Sequence, residues 1–276
     1  MKKIVVNVLT AILLMVICIG CGGGGDRMRM TVEGSGEVRI FLRGSGTATI
    51  DWGDGSDRTT HELNNDWGTE FSKVYARSGR HTITITGNDI IGLQVGGLTS
   101  LDVRRNPKLM RLQISGPLTS LDLSNNTALT SLEIWGSQLT SLDLRNNTAL
   151  GFLRVHDSQL TSLDLSRNTA LTGLNLESNQ LASLNVSNSA ELRFLLISDN
   201  QLTSLDMRNN IALRELRVSN NQLTASALNA LFESLPPGQE WWDDGRRRSG
   251  ISIGNNPGAN EANRSIATAK GWYIRN

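Results

Sequence analysis

The sequence predicts a mainly β chain in three parts: a small β-sandwich, a tandem-repeat solenoid with 21-residue coils, and a C-terminal α/β cap. Three observations predict it. First, Leu118–Gln138 (LTSLDLSNNTALTSLEIWGSQ) recurs in tandem, with lead leucines at Leu118, Leu139, Leu160, Leu181, Leu202 and Leu223. Repetition at such a period marks a solenoid, because one coil cannot bury its own apolar side chains and must stack on a neighbour. Second, residues 27–89 alternate apolar and polar residues between glycine-rich turns, the pattern of short antiparallel strands. Third, the period breaks after Gln222, and Leu228, Leu231, Phe232 and Leu235 follow at helical spacing before Pro236-Pro237-Gly238.

Taken in order, the chain of 276 residues opens with Lys2 and Lys3 and a nearly unbroken apolar run, Ile4–Ile19. That run is short for a membrane span, and Gly20 is small enough for cleavage, so 1–20 reads as an export signal. Cys18-Ile19-Gly20-Cys21 resembles a bacterial lipobox, with Cys18 where leucine is usual. The resemblance implies a lipoprotein signal peptide over 1–20, lipidation at Cys21 and a lipid-anchored tether over 21–26 containing Gly22–Gly25. An ordinary secretory signal with an incidental cysteine is the alternative. Cys18 and Cys21 are the only cysteines, so the processed chain has no internal disulfide and depends on core burial. The formal net charge is +1, and loss of Lys2 and Lys3 leaves it near zero. Concentrated basic surface is lacking, which gives no electrostatic case for a nucleic-acid partner.

In 27–89 the expected strands are Met28–Val32, Glu37–Leu42, Thr47–Trp52, Phe71–Tyr75 and His81–Thr86, with Gly34-Ser35-Gly36 and Gly44-Ser45-Gly46 separating the first three. Asp51, Asp54 and Asp57 invite a calcium site, but their spacing misses the EF-hand pattern. A turn at Asp54-Gly55, with the carboxylate bonding nearby backbone, explains them without a metal. Ile50-Asp51-Trp52-Gly53-Asp54-Gly55-Ser56, then Val74-Tyr75, then Gly79–Ile85 resemble the polycystic-kidney-disease (PKD) immunoglobulin-like domain. Lys73-Val74-Tyr75 departs from that family's histidine-threonine-tyrosine run. The resemblance implies an extracellular spacer or binding module.

Each coil in 90–222 has two halves. Leu129–Leu139 fits LxxLxLxxNxL apart from Ser137, and later coils place Asn179, Asn200 and Asn221 there. Leu118–Asn126 also reads LxxLxLxxN. This resembles the leucine-rich repeat family, and among its members the bacterial lipoproteins that pair LTSLDLSxNTAL with LxxLxxxxNQ. The resemblance implies one strand per coil on a concave face and a return path through LTSLDL, extended enough to form a second parallel sheet. Leucines at i, i+3 and i+5 point inward and stack as ladders, Leu132, Leu153, Leu174, Leu195 and Leu216 with Ile134, Val155, Leu176, Ile197 and Val218 beside them. Burial of each is worth roughly 1.5–3 kcal/mol. Asn126, Asn147, Asn168 and Asn210 are expected to satisfy corner backbone, a structural role.

The copies differ on one face. Gln113, Glu133, Arg154, Asn175, Leu196 and Arg217 form one outward column. Ser115, Trp135, His156, Glu177, Ser198 and Ser219 form a second, and Arg111, Ser131, Phe152, Gly173, Phe194 and Glu215 a third. Aromatics and arginine dominate binding hot spots, so Trp135, Phe152, Arg154, His156, Glu177, Phe194 and Arg217 are the candidate binding residues. The competing explanation is drift at surface positions, or Phe152 and Phe194 tucked under the neighbouring PKD-like domain or a coil edge.

In the cap, 223–276, Ser226–Leu235 reads as a helix, Ile251–Asn256 as a final strand of the ladder, Ala259–Lys270 as a short helix and Gly271–Ile274 as a last strand. Trp241 and Trp242 either stack on sugar or cover the end of the core. Arg246–Arg248 reads as a hairpin tip. His61, His81 and His156 fall in different units, and no HExxH, GxSxG or phosphate-loop motif occurs. The expectation is therefore a non-enzyme without cofactor or metal. It is exported to the bacterial cell envelope, at the outer membrane or cell surface, anchored by lipid, and binds a protein ligand. A carbohydrate-binding accessory role with a glycan partner, or a purely structural envelope role, are the alternatives.

Overall fold

The computed structural model describes residues 26–66, 68–242 and 246–275. The expected export signal, Cys21 and Gly22–Gly25 lie outside the described residues.

The N-terminal unit comprises β1 (Arg27–Gly44), β2 (Thr47–Asp51), β3 (Thr59–Glu62) and β4 (Thr69–Gly87). β1 and β4 pair antiparallel from Arg27↔Thr86 to Leu42↔Thr69, with the register broken between Gly34 and Gly36. These glycines sit at φ 113° and 110°, where other residues are strained. The segment expected to separate two strands instead bends one. Tyr75 and His81 flank the matching bend in β4, and their rings stack with centroids 3.7 Å apart. Straight strand would hold those residues ~20 Å apart. The long hairpin therefore folds back, and its halves form two facing layers. The buried Tyr75 hydroxyl ties them together by donating to the Trp52 carbonyl at 2.6 Å. Burial, then the nearby Asp54 charge, pushes the phenol up to about 12.

The aspartates beside Trp52 are engaged locally. Asp51 accepts from the Gly53 amide and from Arg58. Asp54 accepts from Ser56 and pairs with Lys73 at 2.8 Å, and the Lys73 bond holds its carboxyl below the usual range. The turn accounts for both carboxylates.

The solenoid follows as β5 (Ile90–Val95), β6 (Leu98–Asp102), β7 (Arg111–Ser115), β8 (Ser131–Trp135), β9 (Phe152–His156), β10 (Gly173–Asn175), β11 (Phe194–Leu196) and β12 (Glu215–Arg217). Apart from β6, these strands stack parallel in unbroken register. The fold is a parallel β-solenoid, as expected. The ladder Leu132, Leu153, Leu174, Leu195 and Leu216 is at most 1% exposed, and Ile134, Val155, Leu176, Ile197 and Val218 are fully buried. β1 serves both units. Its second half pairs antiparallel with β5 and its first half with β6. The N-terminal unit thus covers the edge that the first coil would leave unpaired.

The second parallel sheet expected along the LTSLDL halves does not form among the described residues, where those halves carry no strand beyond β6. Side chains take the backbone groups a ladder would need. Asp102, Asp122, Asp143, Asp164, Asn185 and Asp206 each accept from the amide two residues on. Asn126, Asn147, Asn168 and Asn210 donate to carbonyls of the preceding coil. What remains is one or two backbone bonds per coil, such as Gln138 N–H to the Leu118 carbonyl.

The cap comprises α1 (Ala225–Ser234), the hairpin β13 (Glu240–Trp242) and β14 (Arg246–Arg248), then β15 (Gly250–Ser252), α2 (Ser265–Ala269) and β16 (Tyr273–Arg275). Thr224 caps α1 through its hydroxyl. The second helix is shorter than expected, because turns occupy 257–262. β15 and β16 extend the parallel ladder. The tryptophan that closes this end of the core is Trp272, 2% exposed, whose indole donates to the Pro236 carbonyl at 2.7 Å. The result is one 14-stranded sheet running from β3 to β16.

Candidate functional site

Strand register places the diverse side chains. Inward leucines fix the alternation on each strand, so the residues between them must face outward. Ser131, Phe152, Gly173, Phe194 and Glu215 align in one row, and Glu133, Arg154, Asn175, Leu196 and Arg217 in the next. Trp135 and His156 align in a third. The rows are those expected from the repeat.

Within them, Trp135, Phe152, Arg154 and His156 lie on the outward side of β8 and β9 as two contacting pairs, each side chain half-buried. Trp135 and His156 meet edge-to-face with centroids 6.1 Å apart. The Arg154 guanidinium lies 5.6 Å from the Phe152 ring centroid and bonds Glu133 at 3.2 Å. Its Nε is buried and has no acceptor among the described residues. His156 Nδ1 is 2.7 Å from the Asp157 carboxylate. The patch therefore combines flat apolar surface and a cation held over a ring, a set that suits non-covalent recognition.

The remaining candidates belong to later coils. Glu177 follows β10, its carboxylate near the Asn175 amide at 3.4 Å. Phe194 aligns with Phe152 but is separated from it by Gly173. Arg217 lies further along the sheet, paired with Glu215 at 2.7 Å.

Gly173 has a role that a reading by residue type misses. A Cβ there would meet Phe152 Cδ2 at 2.8 Å and Cε2 at 3.1 Å. The Phe152 ring thus lies down over the next strand, in the space a side chain would take. The signal was in the register, which sets this glycine between two phenylalanines. A further feature, unmarked in the sequence, is a depression of about 390 Å³ where β1 meets the first coils, lined by Phe41, Arg43, Gln94, Arg111, Gln113 and Glu133 among others. Trp241 and Trp242 lie on the β13–β14 hairpin, with backbone partners Arg247 and Arg246.

No protein-family model matches the chain, and no curated protein matches it in sequence. Among solved structures it is similar to the functional domain of InlJ from Listeria monocytogenes, with 26% identity over 62% of this chain and 35% of that one, at a TM-score of 0.49. It is similar to the internalin InlF of Listeria monocytogenes, with 27% identity over 46% of this chain and 40% of that one, at a TM-score of 0.43. YopM, a leucine-rich effector protein of Yersinia pestis, gives 25% identity over 54% of this chain and 38% of that one, at a TM-score of 0.40. The chain spans less than half the length of each. No helix among the described residues is long and apolar enough to cross a membrane.

Proposed function

We propose that the chain is an exported protein-binding module that recognises a protein partner with the outward face of its parallel sheet, through the patch of Trp135, Phe152, Arg154 and His156. One observation carries this reading: register sets these four residues on the outward side of two adjacent strands, half-buried, where Trp135 meets His156 and Arg154 lies over Phe152. The aromatic pair and the arginine over a ring give this part of the face more ordered apolar and cationic surface than isolated surface positions would. Glu177, Phe194 and Arg217 extend the same face. The N-terminal unit is read as PKD-like, supported by the Tyr75–Trp52 bond and the Lys73-clasped turn at Asp54. Its role is to close the first coil and hold the face away from an anchor. Lipidation at Cys21, and with it attachment to the outer membrane or cell surface, rests on the lipobox resemblance.

The test is binding of the exported chain to a displayed protein and peptide library and, in parallel, to a glycan array. A polypeptide ligand selected on wild type should bind Trp135→Ala or Phe152→Ala at least ~30-fold more weakly, the loss expected of a hot spot. Unchanged affinity in both variants would sink the assignment of this face, and binding confined to the glycan array would favour the carbohydrate-binding role. The anchor has its own check: Cys21→Ala should release the protein from the membrane fraction.

A further inference from the structure

The depression between the N-terminal unit and the first coils continues the rows of the recognition face. Strand pairing sets Arg43 on β1 opposite Gly92 on β5, and Gly92 opposite Arg111 on β7. The adjacent row is Phe41, Gln94, Gln113 and Glu133. Gly92 is the notch in this arrangement. A Cβ there would lie 3.1 Å from Arg43 Cβ and 3.4 Å from its Cγ and Cδ, so the arginine stem rests on the bare strand. Two strand spacings separate the backbones of Arg43 and Arg111, ~9.6 Å, a span that two arginine side chains can close around one small group.

Charge decides what that group is. Among the described residues, neither Arg43 nor Arg111 forms an ion pair, whereas Arg154 pairs with Glu133 at 3.2 Å and Arg217 with Glu215 at 2.7 Å on the same face. Glu133 is the one carboxylate lining the depression, and Arg154 offsets it. Positive charge without a partner is thus concentrated at the N-terminal end of the face, in a depression of about 390 Å³. That volume matches small-ligand sites, and a guanidinium pair is suited to a planar carboxylate.

We infer that this notch is a carboxylate subsite, in which Arg43 and Arg111 hold an acidic segment of the polypeptide that occupies the neighbouring aromatic patch. The inference rests on the protein-binding reading for its partner class. A uniformly anionic polymer fits less well. Beyond the notch Arg154 and Arg217 are already paired, with Glu133 and Glu215, and Glu177 adds negative charge, so a continuous run of negative charge is not matched along the face. An acidic cluster at one end of a mixed peptide meets opposite charge only where it needs to. Gln94 and Gln113 offer amide donors and acceptors to the peptide backbone between the two regions, and Phe41 gives it a flat wall.

The test uses the whole exported chain and four probes: a triglutamate peptide, its triglutamine counterpart, inorganic phosphate and a galacturonate trimer. Binding is followed by NMR of arginine Nε–H and glutamine side-chain resonances at low salt. Triglutamate should shift Arg43, Arg111 and Gln113 saturably, and triglutamine should not. Arg111→Gln, an exposed and fold-neutral change, should weaken triglutamate binding about tenfold, and Arg43→Gln similarly, in line with loss of a charge-assisted pair. Arg43→Lys, which keeps the stem over Gly92 and the charge, should retain part of it. Trp135→Ala should leave triglutamate binding unchanged, which separates this subsite from the aromatic patch. Phosphate or galacturonate binding as tightly as triglutamate, or triglutamate binding indifferent to Arg111→Gln, would overturn the inference.

Discussion

Asn147 donates to two carbonyls of the preceding coil, Leu123 at 3.1 Å and Asn126 at 2.9 Å, and is fully buried while doing so. Asn168 and Asn210 repeat the pattern. Between them Ser189 occupies the same place and reaches only the Asn168 carbonyl, at 3.5 Å. Its shorter side chain leaves the Leu165 carbonyl, the equivalent second acceptor, without that bond. Ser189→Asn should therefore stabilise the chain by about 1 kcal/mol, the net worth of a buried hydrogen bond, visible as a higher denaturant midpoint. Asn147→Ala should destabilise it by roughly 1–3 kcal/mol, since two buried carbonyls each keep a backbone donor but lose the side-chain bond. If the two variants melt alike, the corner ladder is not what holds the coils in register. The position of these asparagines was legible in the sequence because the repeat fixes it, but the groups they satisfy are corner carbonyls rather than amides. The opposite corner was less legible. Asp157, Ser178, Asp199 and Asn220 adopt left-handed φ between 52° and 59° there, a demand that Gly136 meets without strain one coil earlier.

At the scale of the strand, the recognition patch depends on an absent side chain. Phe152 lies over Gly173 because nothing projects from that strand, so Gly173→Ala forces the ring to lift. The expected outcome is a modest loss of stability, of order 1 kcal/mol, with partner affinity falling far more than the stability change explains. Retained affinity would show that the ring position is incidental. The N-terminal strands carry a parallel lesson. Tyr75→Phe removes the bond to the Trp52 carbonyl between the two layers, and should cost about 1–3 kcal/mol by leaving that acceptor unsatisfied. Alternation in β1 and β4 was readable, but their continuity was not. Gly34-Ser35-Gly36 has the composition of a turn, and only pairing with β4 shows that it bends a strand. The LTSLDL halves failed as strands for a related reason. Their spacing is strand-like, yet aspartate and asparagine side chains capture the backbone groups first, a competition that hydrophobic periodicity does not register.

Across the whole molecule, one sheet joins three regions that the sequence presents as separate, and the solenoid ends are closed by β1 on one side and Trp272 on the other. Coil-to-coil contact makes stability a shared property, so a small effect repeated in every coil becomes a global one. The turn carboxylates supply such an effect. Asp102 and Asp143 are held at about 2, chiefly by side-chain bonds from Arg104 and Arg145. The Ser124 hydroxyl bond lowers Asp122, and backbone amide bonds lower Asp164 and Asp206. All are depressed from the unfolded value of 3.8, so their stabilisation is fully present above it and is lost as pH falls toward 2. The melting temperature should accordingly stay level above that value and drop below it. Asn185 shows how to isolate the cause, because it already accepts from the Ser187 amide at 3.0 Å without a charge. Replacing Asp102, Asp143 and Asp206 with asparagine should keep the turns, lower stability slightly at neutral pH and flatten the acid side of the curve. An unchanged acid slope in that triple variant would place the pH sensitivity outside the three turns whose aspartate is paired with an arginine.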